Sequence, residues 1–312
     1  MAITIKREQT LDKLFSGVTF SAAFLVLIII VSIFISLFKE SLTAIEAFGF
    51  FGFISSTAWD PVREVFGAAT TLYGTLVTTL LALVMAIPVS LGIAIFITEL
   101  CPKFLKPLFG TAIELLAAIP SIIYGMWGLF TFAPLMGEHV EPLLQRIFEP
   151  IPLIGKLFAG VPLGIDILTT GIILSIMITP FIASIVRDTF ALTPTQLKES
   201  AYGMGATRWE VIKDVIIPYS KAGIFGSIII AMGRALGETM AVAFVLGNKH
   251  AIATSLFDAS ATITVTLANE FTEADSDLYL SSLFYLALIL LGMNFILLAI
   301  AKTALARKEK RL

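Results

Sequence analysis

The sequence predicts an all-α polytopic membrane protein with six transmembrane helices, and three observations support this fold class. Hydrophobic residues fill 57% of the 312 positions and charged residues only 14%, with a mean hydropathy of +0.95. The charges are absent from long blocks, each long enough for the roughly 20 residues that cross a bilayer. A polar segment with helix-capping signals separates two of these blocks. A soluble domain has no use for so much apolar surface, so the soluble classes are excluded.

The expected spans follow the runs that are poor in charge. They fall at 14–38, 65–98, 115–137, 167–186, 222–247 and 278–301. The first run is too long for the core of a secretory signal peptide, so it is expected to remain as a span. The second run exceeds one simple crossing, and we expect that helix to tilt or to kink at Pro88.

Basic residues predict the orientation of the spans. If the N-terminus lies in the cytoplasm, the inner segments carry 15 lysines and arginines and the outer segments carry 5. This bias fits the positive-inside rule and places both termini in the cytoplasm. The outer loops at 39–64, 138–166 and 248–277 contain thirteen acidic residues. Such a surface suits docking of a folded protein, and a solvated loop surface explains it equally well.

The polar segment between the fourth and fifth spans predicts two short cytoplasmic helices. Thr193 with Gln196, and Thr207 with Glu210, have the spacing of two capping boxes. The segment carries three basic and three acidic residues, so it lacks the positive excess that binding to nucleic acid requires. An amphipathic loop on the membrane surface is the simpler alternative. The turn and the end of the second helix are assigned to Gly203, Gly205 and Pro218.

Nothing in the sequence predicts catalysis or a metal site. The chain has no G-x-x-x-x-G-K-[ST] phosphate loop, no H-E-x-x-H and no G-x-S-x-G. Cys101 is the lone cysteine and is interpreted as an inert thiol. His139 and His250 lack companions at metal-ligand spacing. We therefore expect neither an enzyme nor a metalloprotein. Instead, we expect a transport protein that is driven by a separate ATPase bound to the helix pair.

The helix pair contains a motif that resembles a known one. Glu199, Ser200 and Ala201 are followed by Gly205 and, after nine residues, by Val215, Ile217 and Pro218. This pattern is similar to the EAA motif of ABC importer permeases, although Ser200, Val215 and Ile217 replace the usual residues with small or aliphatic ones. Longer stretches resemble the permease subunits of bacterial phosphate importers; they lie at 73–100, 113–130, 198–212, 233–242 and 267–274.

The resemblance implies a fold, partners and a location. The fold would be that of a type I ABC importer permease, and the EAA residues would form coupling helices on the ATPase. The partners would be a second, PstA-like permease subunit, a PstB-like ATPase dimer and a PstS-like phosphate-binding protein, within membrane lipid and without nucleic acid. ATP and Mg would bind the ATPase, leaving no cofactor in this chain. The complex would occupy the bacterial inner membrane.

The fifth span contains a charged pair that agrees with an anion as cargo. Arg234 would lie near the middle of the membrane, and Glu238 follows one helical turn later on the same face. A guanidinium suits a tetrahedral oxyanion, and a carboxylate accepts a hydrogen bond from protonated phosphate but none from sulfate. Alternatively, the pair neutralises itself or Arg234 pairs with another subunit. Gly233 and Gly237 frame it as G-x-x-x-G, a spacing that permits close helix approach.

The predicted organisation has three parts. Residues 1–66 form an N-terminal tail, the first span and an outer loop, residues 67–307 form the permease domain with coupling helices at 193–218, and residues 308–312 form a tail. The expected function is that of a permease subunit in an ATP-driven phosphate importer. The alternatives are a permease for another oxyanion, such as sulfate or molybdate, and a secondary transporter without an ATPase.

Overall fold

The described chain is entirely helical apart from connecting segments and two isolated β-bridges. A computed structural model describes the backbone of residues 2–152 and 154–309 and the side chains of residues 12–152 and 154–303. In chain order the helices are α1 (Ala2–Glu40), α2 (Leu42–Phe48), α3 (Phe50–Ser55), α4 (Ala69–Leu100), α5 (Lys106–Ala117), α6 (Ser121–Phe148), α7 (Ile154–Leu157), α8 (Ile167–Ala191), α9 (Thr195–Gly203), α10 (Arg208–Tyr219), α11 (Lys221–Leu236), α12 (Met240–Val245), α13 (Ile263–Glu270) and α14 (Asp277–Glu309).

Four of these helices are long and apolar enough to cross a membrane on their own: α1, α4, α8 and α14. Two further candidate spans are bent helix pairs, with an angle of 85° between α5 and α6 and of 68° between α10 and α11. Counting each bent pair as one span gives six among the described residues. The predicted all-α, six-span class is confirmed.

Two of the expected spans are not continuous helices. The run at 115–137 is broken after Ala117, because Pro120 lacks an amide hydrogen and disfavours helical geometry in the residue before it. The run at 222–247 is broken after Leu236, where α11 ends, and helix resumes only at Met240. By contrast, α4 and α8 continue through Pro88 and Pro180.

The main core lies between α4 and α8. Its buried side chains come from α4, α8, α9, α10, α11 and α12; among them are Ala82, Ala86, Leu174, Ile178, Ile182, Ala201, Val211, Ile216, Ala231 and Ala241. Because α9 and α10 contribute to the same cluster, the predicted helix pair packs directly against the membrane helices. We call the end of the spans where α9 and α10 lie the helix-pair end, and the opposite end the loop end.

A second cluster at the loop end attaches the N-terminal part of the chain. Phe53 of α3 stacks on Tyr285 of α14 with ring centroids 4.5 Å apart, and Phe66 stacks on Tyr279 at 5.1 Å. In contrast, none of the most apolar stretch of α1 within residues 12–40 is buried. The first span is therefore peripheral in this chain, as expected.

Candidate functional site

The helix pair α9 and α10 has the predicted helix-turn-helix form. The hydroxyl of Thr207 accepts from the backbone amide of Glu210 at 3.4 Å, and the Glu210 carboxylate accepts from the backbone amide of Thr207 at 2.7 Å. The second capping box is thus confirmed. Gly205 has φ +89°, which favours glycine, so the turn is fixed at this residue.

The other two local predictions for this segment are wrong. Thr193 does not cap α9, whose first turn follows Pro194; its buried hydroxyl lies 3.5 Å from the hydroxyl of Ser220 instead. Pro218 does not end the second helix, since α10 runs on to Tyr219 before the 68° bend. Pro218 has no backbone amide hydrogen, so it cannot donate the α-helical hydrogen bond to the carbonyl four residues before it. In the π-type turns that α10 has at Val211–Ile216, each carbonyl accepts from an amide one residue further along the chain, so the helix continues past the proline.

The residues of the EAA-like motif divide between core and surface. Ala201 is buried in the main cluster, and Val215 and Ile217 pack against it. Glu199, Ser200 and Gly205 are exposed, and Pro218 is half-buried. Large apolar side chains also lie on the outside of the pair: Tyr202 is 44% exposed, Met204 84% and Trp209 62%. These three residues were not predicted as site residues from the sequence, although large apolar side chains in an otherwise polar segment could have indicated them.

Arg234 lies in the last turn of α11 without a carboxylate partner. It is half-buried, and its Nε atom is buried and bonds to no group among the described residues. The guanidinium carbon lies 5.7 Å from the centre of the Phe181 ring on α8, a cation–π contact. Within the described side chains, no acidic group comes within ion-pair distance of it. The structural ion pair that the sequence left open is not formed.

Glu238 is not on the helical face of Arg234, because the helix ends first. After Gly237, the buried Glu238 accepts from the backbone amide of Ala241 at 3.1 Å, in the first turn of α12. The backbone carbonyl of Glu238 accepts from the Thr264 hydroxyl at 2.7 Å. The carboxylate therefore supports the start of α12, in the position where a negative charge stabilises a helix.

The break between α11 and α12 is held in place by close packing. A Cβ atom on Gly125 of α6 would lie 2.7 Å from Phe244 and 2.9 Å from the carbonyl oxygen of Met240, so α6 approaches α12 at a distance that only glycine permits. A cavity of about 560 Å³, which Tyr124 of α6 helps to line, is otherwise bounded by apolar side chains together with Ser175 and Thr179. Arg234 is not part of its lining.

At the loop end, Glu270 is the centre of a hydrogen-bond cluster. Its carboxylate accepts from the Trp59 indole at 2.7 Å and from the Tyr279 hydroxyl at 2.7 Å, and it lies 3.0 Å from Nε2 of His250. Burial alone would raise the pKa of Glu270, but these three hydrogen bonds hold it below its ordinary value. His250 therefore has a carboxylate partner that its surroundings in the sequence did not reveal. The cluster joins the segment before α4 to the last third of the chain.

A pair of acidic groups lies at the start of α8. Asp166 and Glu141 are both fully buried, with their carboxyl groups side by side. Asp166 accepts from the backbone amide of Thr169 at 2.8 Å, as the cap of α8. Burial, and next the hydrogen bond with Glu141, raise the pKa of Asp166 to about 8. At neutral pH the pair therefore holds a proton, which lets both groups stay buried.

Comparison with known proteins identifies the family. Residues 74–310 match the profile of the family described as "Binding-protein-dependent transport system inner membrane component". The chain belongs to this family. It is thus a membrane component of a transport system that includes other subunits.

Individual relatives extend over almost the whole permease. A "Phosphate transport system permease protein PstC" of Mesorhizobium japonicum is 52% identical over 308 residues, which cover 99% of this chain and 94% of the relative. The protein of the same name from Pasteurella multocida is 48% identical over 304 residues, covering 97% and 94%. The resemblance that the sequence motifs predicted is confirmed.

The fold is also found among solved structures. A chain of the MetNI methionine ABC transporter, solved in inward-facing conformations, superposes with a TM-score of 0.58. It is 14% identical, and the match covers 80% of the permease and 99% of that chain. This likeness confirms the fold of an ABC importer permease.

Proposed function

We infer that this chain is the transmembrane permease subunit of an ATP-driven importer that moves inorganic phosphate across the membrane. The observation that carries this inference is the 52% identity to a phosphate transport system permease over 99% of the chain. The sulfate or molybdate permease and the secondary transporter without an ATPase are not favoured, because the relatives described above are phosphate permeases and the chain has an exposed helix pair of the kind that an ATPase-driven importer needs.

We propose that Arg234 contacts the anion on its way through the membrane. The support is its unpaired charge: a guanidinium at membrane depth requires compensation, and among the described side chains it contacts the ring of Phe181 but has no carboxylate within ion-pair distance. A passing phosphate offers oxygens in the geometry that a guanidinium binds with two hydrogen bonds. Glu238 would take part by fixing the first turn of α12 beside the break, or by accepting from a protonated phosphate oxygen.

We propose that α9 and α10 are the coupling helices and that a separate ATPase dimer binds them. The exposed Tyr202, Met204 and Trp209 form an apolar surface on a polar segment, which suits insertion into a groove of a partner protein. The motif residues Ala201, Val215 and Ile217 pack on the core and hold the pair there, Pro218 is half-buried, and Glu199, Ser200 and Gly205 remain on the outside. ATP and Mg would bind the ATPase.

The remaining features of the proposal concern assembly and topology. A second, related permease would complete the transmembrane pathway, and a phosphate-binding protein would deliver the ligand to the loop end. The distribution of lysine and arginine supports a cytoplasmic location for both termini and for the helix-pair end in a bacterial inner membrane. The permease domain would comprise residues 67–307, with residues 1–66 and 308–312 outside it.

The test is phosphate uptake by the complete complex. This chain, its companion permease, the ATPase and the binding protein are reconstituted in liposomes, and labelled phosphate uptake is measured with and without ATP. We expect ATP-dependent uptake that an excess of sulfate or molybdate does not inhibit. Inhibition by sulfate would indicate a different oxyanion, and uptake without ATP would indicate a secondary transporter.

A further inference from the structure

Two lysines from other helices contact the last turn of α4, at the helix-pair end. Its last turn, Phe96–Leu100, is a π-type turn, a widened geometry that occurs frequently at functional sites. Lys198 of α9 contacts the Glu99 carboxylate in this turn at 2.7 Å, and Lys106 at the start of α5 donates to the backbone carbonyl of Thr98. Helices α4, α5 and α9 therefore meet at Thr98 and Glu99.

The contact between Lys198 and Glu99 is sheltered from water. The side chains are 21% and 13% exposed, so the charges attract one another more strongly than on an open surface. The groups lie 99 residues apart in the sequence. Among the residues that the structure describes, this is the one ion pair that joins α9 or α10 to a membrane span.

The position of α4 in the chain gives this ion pair its importance. The helix pair is connected covalently to α8 through residues 192–194 and to α11 through Ser220, so its motion reaches these two helices through the backbone. It has no such connection to α4. Apolar contacts in the main cluster, which includes Ala94 of α4 and Ala201 of α9, are non-directional. A charge-assisted hydrogen bond fixes both distance and direction.

The surroundings leave room for this end of α4 to move. A cavity of about 570 Å³ lies beside the ion pair, between α4, α5 and α8. Among the residues that line this cavity, Arg187 bonds Glu114 at 2.8 Å and so connects α8 with α5, without involving the helix pair. The position of Glu99 is therefore fixed by Lys198 and by the turn that contains it, and not by close packing on all sides.

We propose that the ion pair between Lys198 and Glu99 transmits movement of the coupling helices to α4, and that it is required for efficient coupling of ATP hydrolysis to phosphate transport. This proposal rests on the proposed function and adds two residues to it. Lys198 and Glu99 are positioning residues, since neither is argued to contact phosphate or ATP.

The experiment compares variants in the reconstituted complex of permeases, ATPase and binding protein. Phosphate uptake and ATP hydrolysis are measured together, and their ratio is the readout. We expect Glu99→Gln and Lys198→Gln each to lower phosphate moved per ATP hydrolysed about fivefold, the lower end of ordinary coupling between two sites. ATP hydrolysis and assembly are expected to persist. We expect the double variant with exchanged charges, Glu99→Lys with Lys198→Glu, to recover the wild-type ratio of phosphate moved to ATP hydrolysed. The conservative variant Lys198→Arg is expected to keep that ratio.

The matched control is Glu114→Gln, which removes a carboxylate at the same cavity from an ion pair that does not reach the helix pair. An unchanged ratio in the Glu99 and Lys198 variants would overturn the proposal. So would an equal fall in the control, or failure of both the exchanged pair and Lys198→Arg to recover it. If Glu99→Gln fails to assemble, Lys198→Gln and Lys198→Arg test the same bond from its other end. A wild-type complex that hydrolyses ATP without moving phosphate would contradict the proposed function instead.

Discussion

Replacement of Arg234 by methionine separates a functional charge from a structural one. An arginine near the bilayer centre costs about 2.5–3.5 kcal/mol on insertion scales. The contact with the Phe181 ring at 5.7 Å returns about 0.5–2 kcal/mol. Because no described carboxylate pairs with the guanidinium, the net cost of keeping this charge is about 0.5–3 kcal/mol by these two figures. We therefore expect Arg234→Met to stabilise the permease slightly while abolishing phosphate uptake.

The assay combines stability and transport on one purified complex. The thermal midpoint is followed by tryptophan fluorescence, and ATP-dependent phosphate uptake is measured in liposomes. The expected result is a midpoint that is unchanged or a few degrees higher, with uptake lost. Arg146→Met removes an exposed arginine at the loop end and serves as the control for loss of a charge.

Two results would refute this reasoning. Breaking one side of a buried ion pair costs about 3–5 kcal/mol, so a large fall in the midpoint of Arg234→Met would show that Arg234 has a structural partner in the complex. Uptake at the wild-type rate would remove Arg234 from the anion path and leave the charge without a role in transport.

Three further predictions concern other parts of the permease. The pKa of Asp166 is raised to about 8, so its stabilising contribution is complete below its ordinary acidic pKa and is lost as the pH rises through about 8. Asp166→Asn is expected to remove the fall in thermal midpoint between about pH 4 and about pH 8, and an identical fall in the variant would contradict this. Trp59→Phe deletes a donor to the buried Glu270 and is expected to cost about 1–3 kcal/mol, seen as a lower thermal midpoint; an unchanged midpoint would mean that the carboxylate finds another donor. Gly205→Ala places a side chain at φ +89° and is expected to cost about 1–2 kcal/mol, seen as faster amide hydrogen exchange in α9 and α10. Gly203→Ala, in a helical position with open space around its Cβ, is expected to slow exchange slightly, and equal effects of the two changes would refute the argument.

Local signals in the sequence predicted those features that depend on neighbouring residues. The capping box at Thr207 is an example, because its partner is three residues away and both hydrogen bonds are made within one turn. The same spacing at Thr193 failed because a distant hydroxyl, that of Ser220, lies within reach of this side chain in the folded chain. Capping patterns describe what a segment can do alone, and tertiary contacts decide whether it does so.

Hydropathy predicted the number of spans but not their continuity. An average over about 20 residues passes smoothly across Pro120 and Gly237, although both mark places where helix ends. The error mattered for the site, since the placement of Glu238 on the face of Arg234 assumed that α11 continues. The partners of Glu270 lie up to 211 residues away from it. No periodicity or spacing in the sequence contains that information.

The loose attachment of the first span has a consequence for local opening of the fold. The segment from α1 to α3 lies before residue 74, where the family match begins, and it is fastened at the loop end by Phe53, Trp59 and Phe66. Its spanning helix buries nothing of its most apolar stretch in this chain. We expect such a segment to open as a separate cooperative unit that leaves the core between α4 and α8 intact. We therefore expect two levels of stability, with protection of amides before residue 67 reporting on the contacts that fasten this segment, which include hydrogen bonds of Ser281 with the Ala44 amide and the Glu40 carbonyl.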